Sequence, residues 1–132
     1  HYLEGVKEAL TLFVQHNFAI FIVTNQSGIG RGFFSIGEMR AVHDVIKNDF
    51  PCIQDFAYCP HSPEENCRCR KPSPQMILDL IAKYNLDASE SYMIGDKDID
   101  VACGENAHLK KSYLIDEKHD LLYFAKIITA NT

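Results

Sequence analysis

Residues 19–32 read Ala19-Ile20-Phe21-Ile22-Val23-Thr24-Asn25-Gln26-Ser27-Gly28-Ile29-Gly30-Arg31-Gly32. The first five form a continuous apolar run, the pattern of a strand buried on both faces of a parallel sheet. At Thr24 the character switches to polar groups and then to three alternating glycines, the composition of a loop. A buried strand that ends in such a loop is the unit of an open α/β sheet, whose ligands bind at the carboxyl ends of its strands.

The flanking segments repeat that unit. Upstream, Val6, Ala9, Leu10 and Phe13 at helical spacing predict an amphipathic helix over residues 5–16. Downstream, Ser35 with Glu38 has the form of a capping box and predicts a helix over 36–49, closed by Pro51. Strands are expected at 53–58, 91–94 and 112–115, with helices from Ser73-Pro74 to Tyr84, from Asp96 to Ala107, and over 119–129. Alternating strands and helices imply a parallel sheet with right-handed crossovers. The class is α/β.

Length and composition agree with this reading. The chain has 132 residues and is 46% apolar, enough for one domain with a core, so disorder is excluded. Thirteen basic against eighteen acidic residues give a net charge of −5, which argues against a broad nucleic-acid or anionic-membrane surface. No apolar run approaches the ~20 residues that span a bilayer, and no signal peptide is expected. Five cysteines, an odd and clustered count, make a poor disulfide framework and point to a reducing compartment, by default the cytoplasm.

Three polar segments begin where a strand is expected to stop, and they carry the candidate chemistry. Cys59, His61, Cys67 and Cys69 offer one imidazole and three thiolates, ligands that Zn²⁺ prefers; four protein ligands close a tetrahedron with no position for water. That reads as a structural Zn²⁺ pinning the 59–72 loop, the alternative being unligated cysteines in a surface loop. Cys52 and Cys103 are expected to be small core residues. Asp96 follows a strand and a glycine; its carboxylate suits either a Mg²⁺ ion or the N-cap of the next helix. Asp100 is read as its support and Asp98 as solvated.

Arg70 and Lys71 leave the cysteine-rich loop toward the same edge. A fixed lysine offers a compact cation to a phosphoryl oxygen and arginine a planar fork, although a surface lysine is the plainer reading. Thr24 and Asn25 could donate a hydroxyl and an amide to the same group, or serve ordinary turn chemistry. The glycines match neither a dinucleotide-binding nor a P-loop spacing. His16, His43, His108 and His119 have no patterned partners and are expected at the surface.

Four segments together, Thr24 to Gly32, Cys59-Pro60-His61, Cys67-Arg68-Cys69-Arg70-Lys71-Pro72 and Gly95-Asp96-Lys97-Asp98-Ile99-Asp100, resemble the histidinol-phosphatase-like branch of the haloacid dehalogenase (HAD) superfamily. Within it the chain is most similar to the heptose-bisphosphate phosphatases, with the histidinol-phosphate phosphatases next. The resemblance implies a Rossmann-like three-layer fold with a mainly parallel sheet and a zinc loop. It implies Mg²⁺-dependent hydrolysis of a phosphorylated sugar through an aspartyl-phosphate. Carried across, Thr24 is a hydroxyl ligand of the phosphate and Asn25 its neighbour at the substrate. Lys71 stabilises the transferring group, Asp96 holds Mg²⁺ with Lys97 beside it and Asp100 as support, and Arg70 is a substrate contact. A monomer is expected.

The resemblance also implies two aspartates in a DxDGT-like segment on a first strand, ahead of the helix starting near Gly5. The 132 residues do not contain it: Asp98-Ile99-Asp100 belongs to the Gly95-Asp96 loop and lacks the Gly-Thr that should follow. With His1 in place of Met, the expectation is a single domain over 1–132 that is N-terminally incomplete, with its nucleophile upstream. These residues alone should then show no turnover, since covalent catalysis needs its nucleophile. The competing class is a chain that begins here and works as a non-catalytic, zinc-stabilised phosphate-binding or interaction domain.

Overall fold

The computed structural model describes residues 4–130; His1, on which the expected truncation turns, lies outside the described residues. Among the described residues, six helices and four strands follow in order: α1 (Val6–Gln15), β1 (Ile20–Asn25), α2 (Ser27–Gly30), α3 (Ile36–Asp49), β2 (Ile53–Cys59), α4 (Gln75–Tyr84), β3 (Tyr92–Gly95), α5 (Asp98–Asn106), β4 (Lys111–Leu114) and α6 (Leu121–Ala130). Short 3₁₀ turns occupy Pro63–Glu65 and Ala88–Glu90.

Local chemistry accounts for these boundaries. The Ser35 hydroxyl accepts from the Glu38 N–H at 3.1 Å while the Glu38 carboxylate accepts from the Ser35 N–H at 3.0 Å, so the capping box forms as expected. Such a cap is worth about 1 kcal/mol. Asn85, at φ 53°, ends α4 in the left-handed conformation that asparagine tolerates. The helix expected from Ser73-Pro74 starts at Gln75, whose N–H donates to the Ser73 hydroxyl at 3.3 Å while that hydroxyl donates to the Arg68 carbonyl at 2.6 Å. Asp96 does not cap α5; that position is taken by Lys97.

Both strand pairs are parallel. β1 runs beside β2 from Ile20↔Ile53 to Asn25↔Cys59, and β3 beside β4 from Tyr92↔Lys111 to Gly95↔Leu114. The alternating side chains sort the helices into two layers. Ile20, Tyr92 and Ile94 pack against Ala9 and Phe13 of α1 and Ala125 and Ile128 of α6. Val23 and Met93, of opposite parity, pack against Ile77 of α4 and Cys103 and Ala107 around α5. The result is a three-layer α/β/α arrangement. A ladder of rings, Phe13 on Phe18, Phe18 on Tyr92, Tyr92 on Tyr113 and Tyr113 on Phe124, with centroids 4.7–6.4 Å apart, ties α1 to α6 across the β3–β4 pair.

Two features depart from expectation. The strands form two separate pairs rather than one continuous sheet among the described residues, although β1 and β3 feed the same two clusters. All six β1 residues are consequently half-buried, not buried on both faces. Cys52 is exposed rather than a core residue, whereas Cys103 is fully buried as expected. Among the described residues, no helix is long and apolar enough to cross a membrane.

Candidate active site and metal loop

The three polar segments meet at one edge of the strands, and Lys71 is where they join. Its N–H donates to the Asn25 side-chain oxygen at 3.0 Å, tying the end of the cysteine-rich loop to the end of β1. Its Nζ donates to the Val23 carbonyl at 3.2 Å and forms an ion pair with Asp100. Only 10% of the Lys71 side chain and 6% of the Asp100 side chain is exposed, so this is a buried pair and not the surface lysine of the plainer reading. The second Asp100 oxygen accepts from the Lys97 N–H at 3.1 Å, and Gly95 leaves no room for a side chain because a Cβ there would stand 2.3 Å from the Asp100 Cβ.

The remaining candidates surround that junction. The Thr24 hydroxyl donates to the Asn25 carbonyl and accepts from the Gln26 amide, each at 3.3 Å, weak contacts that a better acceptor can displace. Asn25 Nδ2 and Arg70 Nη1 are buried without a hydrogen-bond partner. Buried donors of this kind call for a ligand or water, since leaving one unsatisfied costs about 1–3 kcal/mol. Asp96 is exposed at the end of β3, and no hydrogen bond or ion pair engages its carboxylate among the described residues. A carboxylate without a partner near these unsatisfied donors fits Mg²⁺, which takes one or two carboxylates and keeps waters or phosphate oxygens.

The cysteine-rich loop gathers a second centre. One donor atom each from Cys59, His61, Cys67 and Cys69 lies within 4.8 Å of the others. Cys59 Sγ stands 3.2 Å from Cys67 Sγ, and His61 Nδ1 stands 3.6 Å from Cys59 Sγ and 3.4 Å from Cys69 Sγ. Cys59 and Cys69 approach to disulfide contact, Cα–Cα 5.6 Å, where three free thiolates were expected. Three sulfurs and an imidazole converging from one short loop remain a donor set of the kind Zn²⁺ selects. Nearby, the Glu64 carboxyl is held below its ordinary range by its own N–H and the Ser62 hydroxyl, with Arg31 and Arg70 adding to the effect.

This arrangement has known counterparts. A family profile described as HAD-hydrolase-like matches residues 68–117. The D-glycero-beta-D-manno-heptose-1,7-bisphosphate 7-phosphatase of Haemophilus ducreyi is 35% identical over 125 residues, 86% of this chain and 69% of that protein. The chain belongs to the HAD-like hydrolases.

Within that family, the D-glycero-beta-D-manno-heptose-1,7-bisphosphate 7-phosphatase of Neisseria meningitidis serogroup A is 39% identical over 98 residues, 71% of this chain and 52% of that protein. The chain thus spans about half the length of this relative. The crystal structure of D,D-heptose 1,7-bisphosphate phosphatase from B. bronchiseptica, complexed with magnesium and phosphate, superimposes with a TM-score of 0.88 at 25% identity, covering 98% of this chain and 84% of that one. Some of this HAD-like site escaped the sequence reading. Cys103 Sγ donates to the Ser73 carbonyl at 3.2 Å and Asn106 Nδ2 to the Pro72 carbonyl at 3.0 Å, clamping the backbone just beyond Lys71. Cys103 and Asn106 follow the candidate Asp100 at three-residue intervals along α5, and that spacing was the signal that could have found their role. Burial pushes the Cys103 thiol up, with Asp100 adding and Lys71 opposing, which suits a neutral structural donor and not a nucleophile.

Proposed function

We propose that this protein is a Mg²⁺-dependent phosphatase acting on a sugar phosphate, D-glycero-D-manno-heptose 1,7-bisphosphate, through an aspartyl-phosphate. The observation that carries this reading is Lys71, whose backbone is fixed to Asn25 and whose buried amine is fixed to Asp100. Phosphoryl transfer asks a protein mainly for positioning and charge neutralisation, and a cation locked between two loops answers both. In this reading Lys71 faces the transferring phosphoryl oxygens, the Thr24 hydroxyl and Asn25 amide donate to the same group, and Arg70 and Lys97 contact the rest of the substrate. Mg²⁺, held by Asp96 with Asp100 as support, supplies further charge neutralisation when bound.

The nucleophilic carboxylate is proposed to come from a strand that pairs with the free edges of β1 and β3. Zn²⁺ on Cys59, His61, Cys67 and Cys69 is proposed to be structural. We further propose a cytoplasmic monomer in which residues 1–132 belong to a single domain.

The test is phosphate release by the product of the full reading frame, with and without Mg²⁺. The kcat/KM for heptose 1,7-bisphosphate should exceed that for histidinol phosphate, the alternative substrate. Release from neither substrate would sink the phosphatase reading, and phosphate binding without turnover would select the non-catalytic class.

A further inference from the structure

We infer that Gly30 is a positioning residue: its bare backbone lets the metal loop seat against α2 and so sets where Thr24 and Asn25 stand for substrate. Two backbone hydrogen bonds sew the segments together, Gln26 N–H to the Cys59 carbonyl and Gly30 N–H to the Pro60 carbonyl, each at 2.7 Å. Between them the fit is closed. A Cβ on Gly30 would lie 2.6 Å from the Ser62 amide nitrogen, 2.9 Å from the Pro60 carbonyl oxygen and 2.8 Å from Glu65 Oε1. Two of these three obstacles are backbone and cannot swing aside, and Ser62 is itself buried. Any side chain at residue 30 must therefore push α2 off the loop.

The effect should be directional. α2 follows directly from Asn25 and Gln26, so displacing it shifts the phosphate-directed end of β1. Lys71 shares that end of β1 through its N–H bond to Asn25, but its amine is also anchored on α5 by Asp100, and the backbone after it by the clamp that Cys103 and Asn106 place on Ser73 and Pro72. Loss of the seam should accordingly weaken ligand binding more than it slows the step that Lys71 assists.

This inference takes its ligand from the phosphatase reading, and its test separates the two. In the full reading frame's product, Gly30→Ala should raise KM for the sugar phosphate and Kd for inorganic phosphate about tenfold, with kcat within about threefold. The Gln26 and Gly30 amides should exchange hydrogen faster, with zinc content unchanged. Unchanged exchange, or faster exchange with unaltered phosphate Kd, overturns the inference. Should Gly30→Ala fail to fold, Cys67→Ser loosens the loop from its far side. The Gly30 amide should then exchange faster along with residues 60–69, and a Gly30 amide that stays protected while they exchange overturns the inference. A wild type that binds phosphate without turnover defeats the phosphatase reading alone, since the exchange and Kd comparisons need no turnover.

Discussion

Lys71 and Asp100 form a buried ion pair that joins the exit of the cysteine-rich loop to the first turn of α5. Each is the other's charge partner in a place where an unpaired charge is strongly unfavourable. Lys71→Met should therefore do two things at once. Phosphate release should fall about 10²–10³-fold, the scale for losing one fixed electrostatic contact. Stability should fall by about 3–5 kcal/mol, because the Asp100 carboxylate is left buried alone. Adding Asp100→Asn should recover part of the stability and none of the activity. Urea unfolding beside steady-state phosphate release reads both.

Asp96→Asn should separate activity from folding. Its carboxylate is exposed and engages no partner among the described residues, so the substitution should move stability by no more than about 0.5 kcal/mol. The Mg²⁺ concentration for half-maximal phosphate release should rise about tenfold or more. A Mg²⁺ titration that overlays the wild type would remove Asp96 from the proposed metal site.

Cys67→Ser leaves three of the four donors that lie within 4.8 Å of one another. Zinc measured by atomic emission should drop from one per chain to a small fraction, and the 59–72 segment should become the first site of proteolytic nicking. Full zinc occupancy in the variant would refute the four-ligand assignment.

Asp55 predicts an acid limb in the stability curve. Its carboxylate accepts from the Tyr84 hydroxyl at 2.6 Å and pairs with Lys83 at 3.0 Å, joining β2 to the end of α4. The Tyr84 bond, then Lys83 and the Phe56 N–H, hold its pKa below the ordinary 3.8. A depressed carboxylate stabilises the fold above its unfolded value and loses that contribution as pH falls below 3.8 toward the folded value. Asp55→Asn should lower the denaturation midpoint at pH 7, and the gap to wild type should narrow as the pH approaches 3. A gap that stays constant would show that this carboxylate is not the titrating group.

Much of the architecture was legible because local signals agreed with one another. Ser35 and Glu38 marked the start of α3 to the residue, and the apolar run at Ile20 marked β1. What escaped was set by contacts distant in sequence. No local pattern in Arg70-Lys71 announces that the lysine will be buried against Asp100, 29 residues away. The split into two strand pairs depends on what stands between β1 and β3, which neither strand's own composition encodes. Cys52 was misread because small apolar character was taken for burial; it sits in the turn before β2, where the chain faces water. His43 lies flat on Phe56, ring centroids 4.4 Å apart, so that burial lowers its pKa, and a helical histidine can be placed that way only once β2 is known.

The ladder of rings running from Phe13 to Phe124 also makes the molecule its own optical gauge. The chain has no tryptophan, so its near-ultraviolet signal comes chiefly from tyrosines. Tyr92 and Tyr113 are stacked inside the ladder, while Tyr84 binds Asp55 beside the other strand pair. Replacing both Tyr84 and Tyr58 of β2 by Phe should therefore leave in the spectrum chiefly the dichroism of the β3–β4 half, allowing loss of order there to be timed separately from loss of order around β1 and β2.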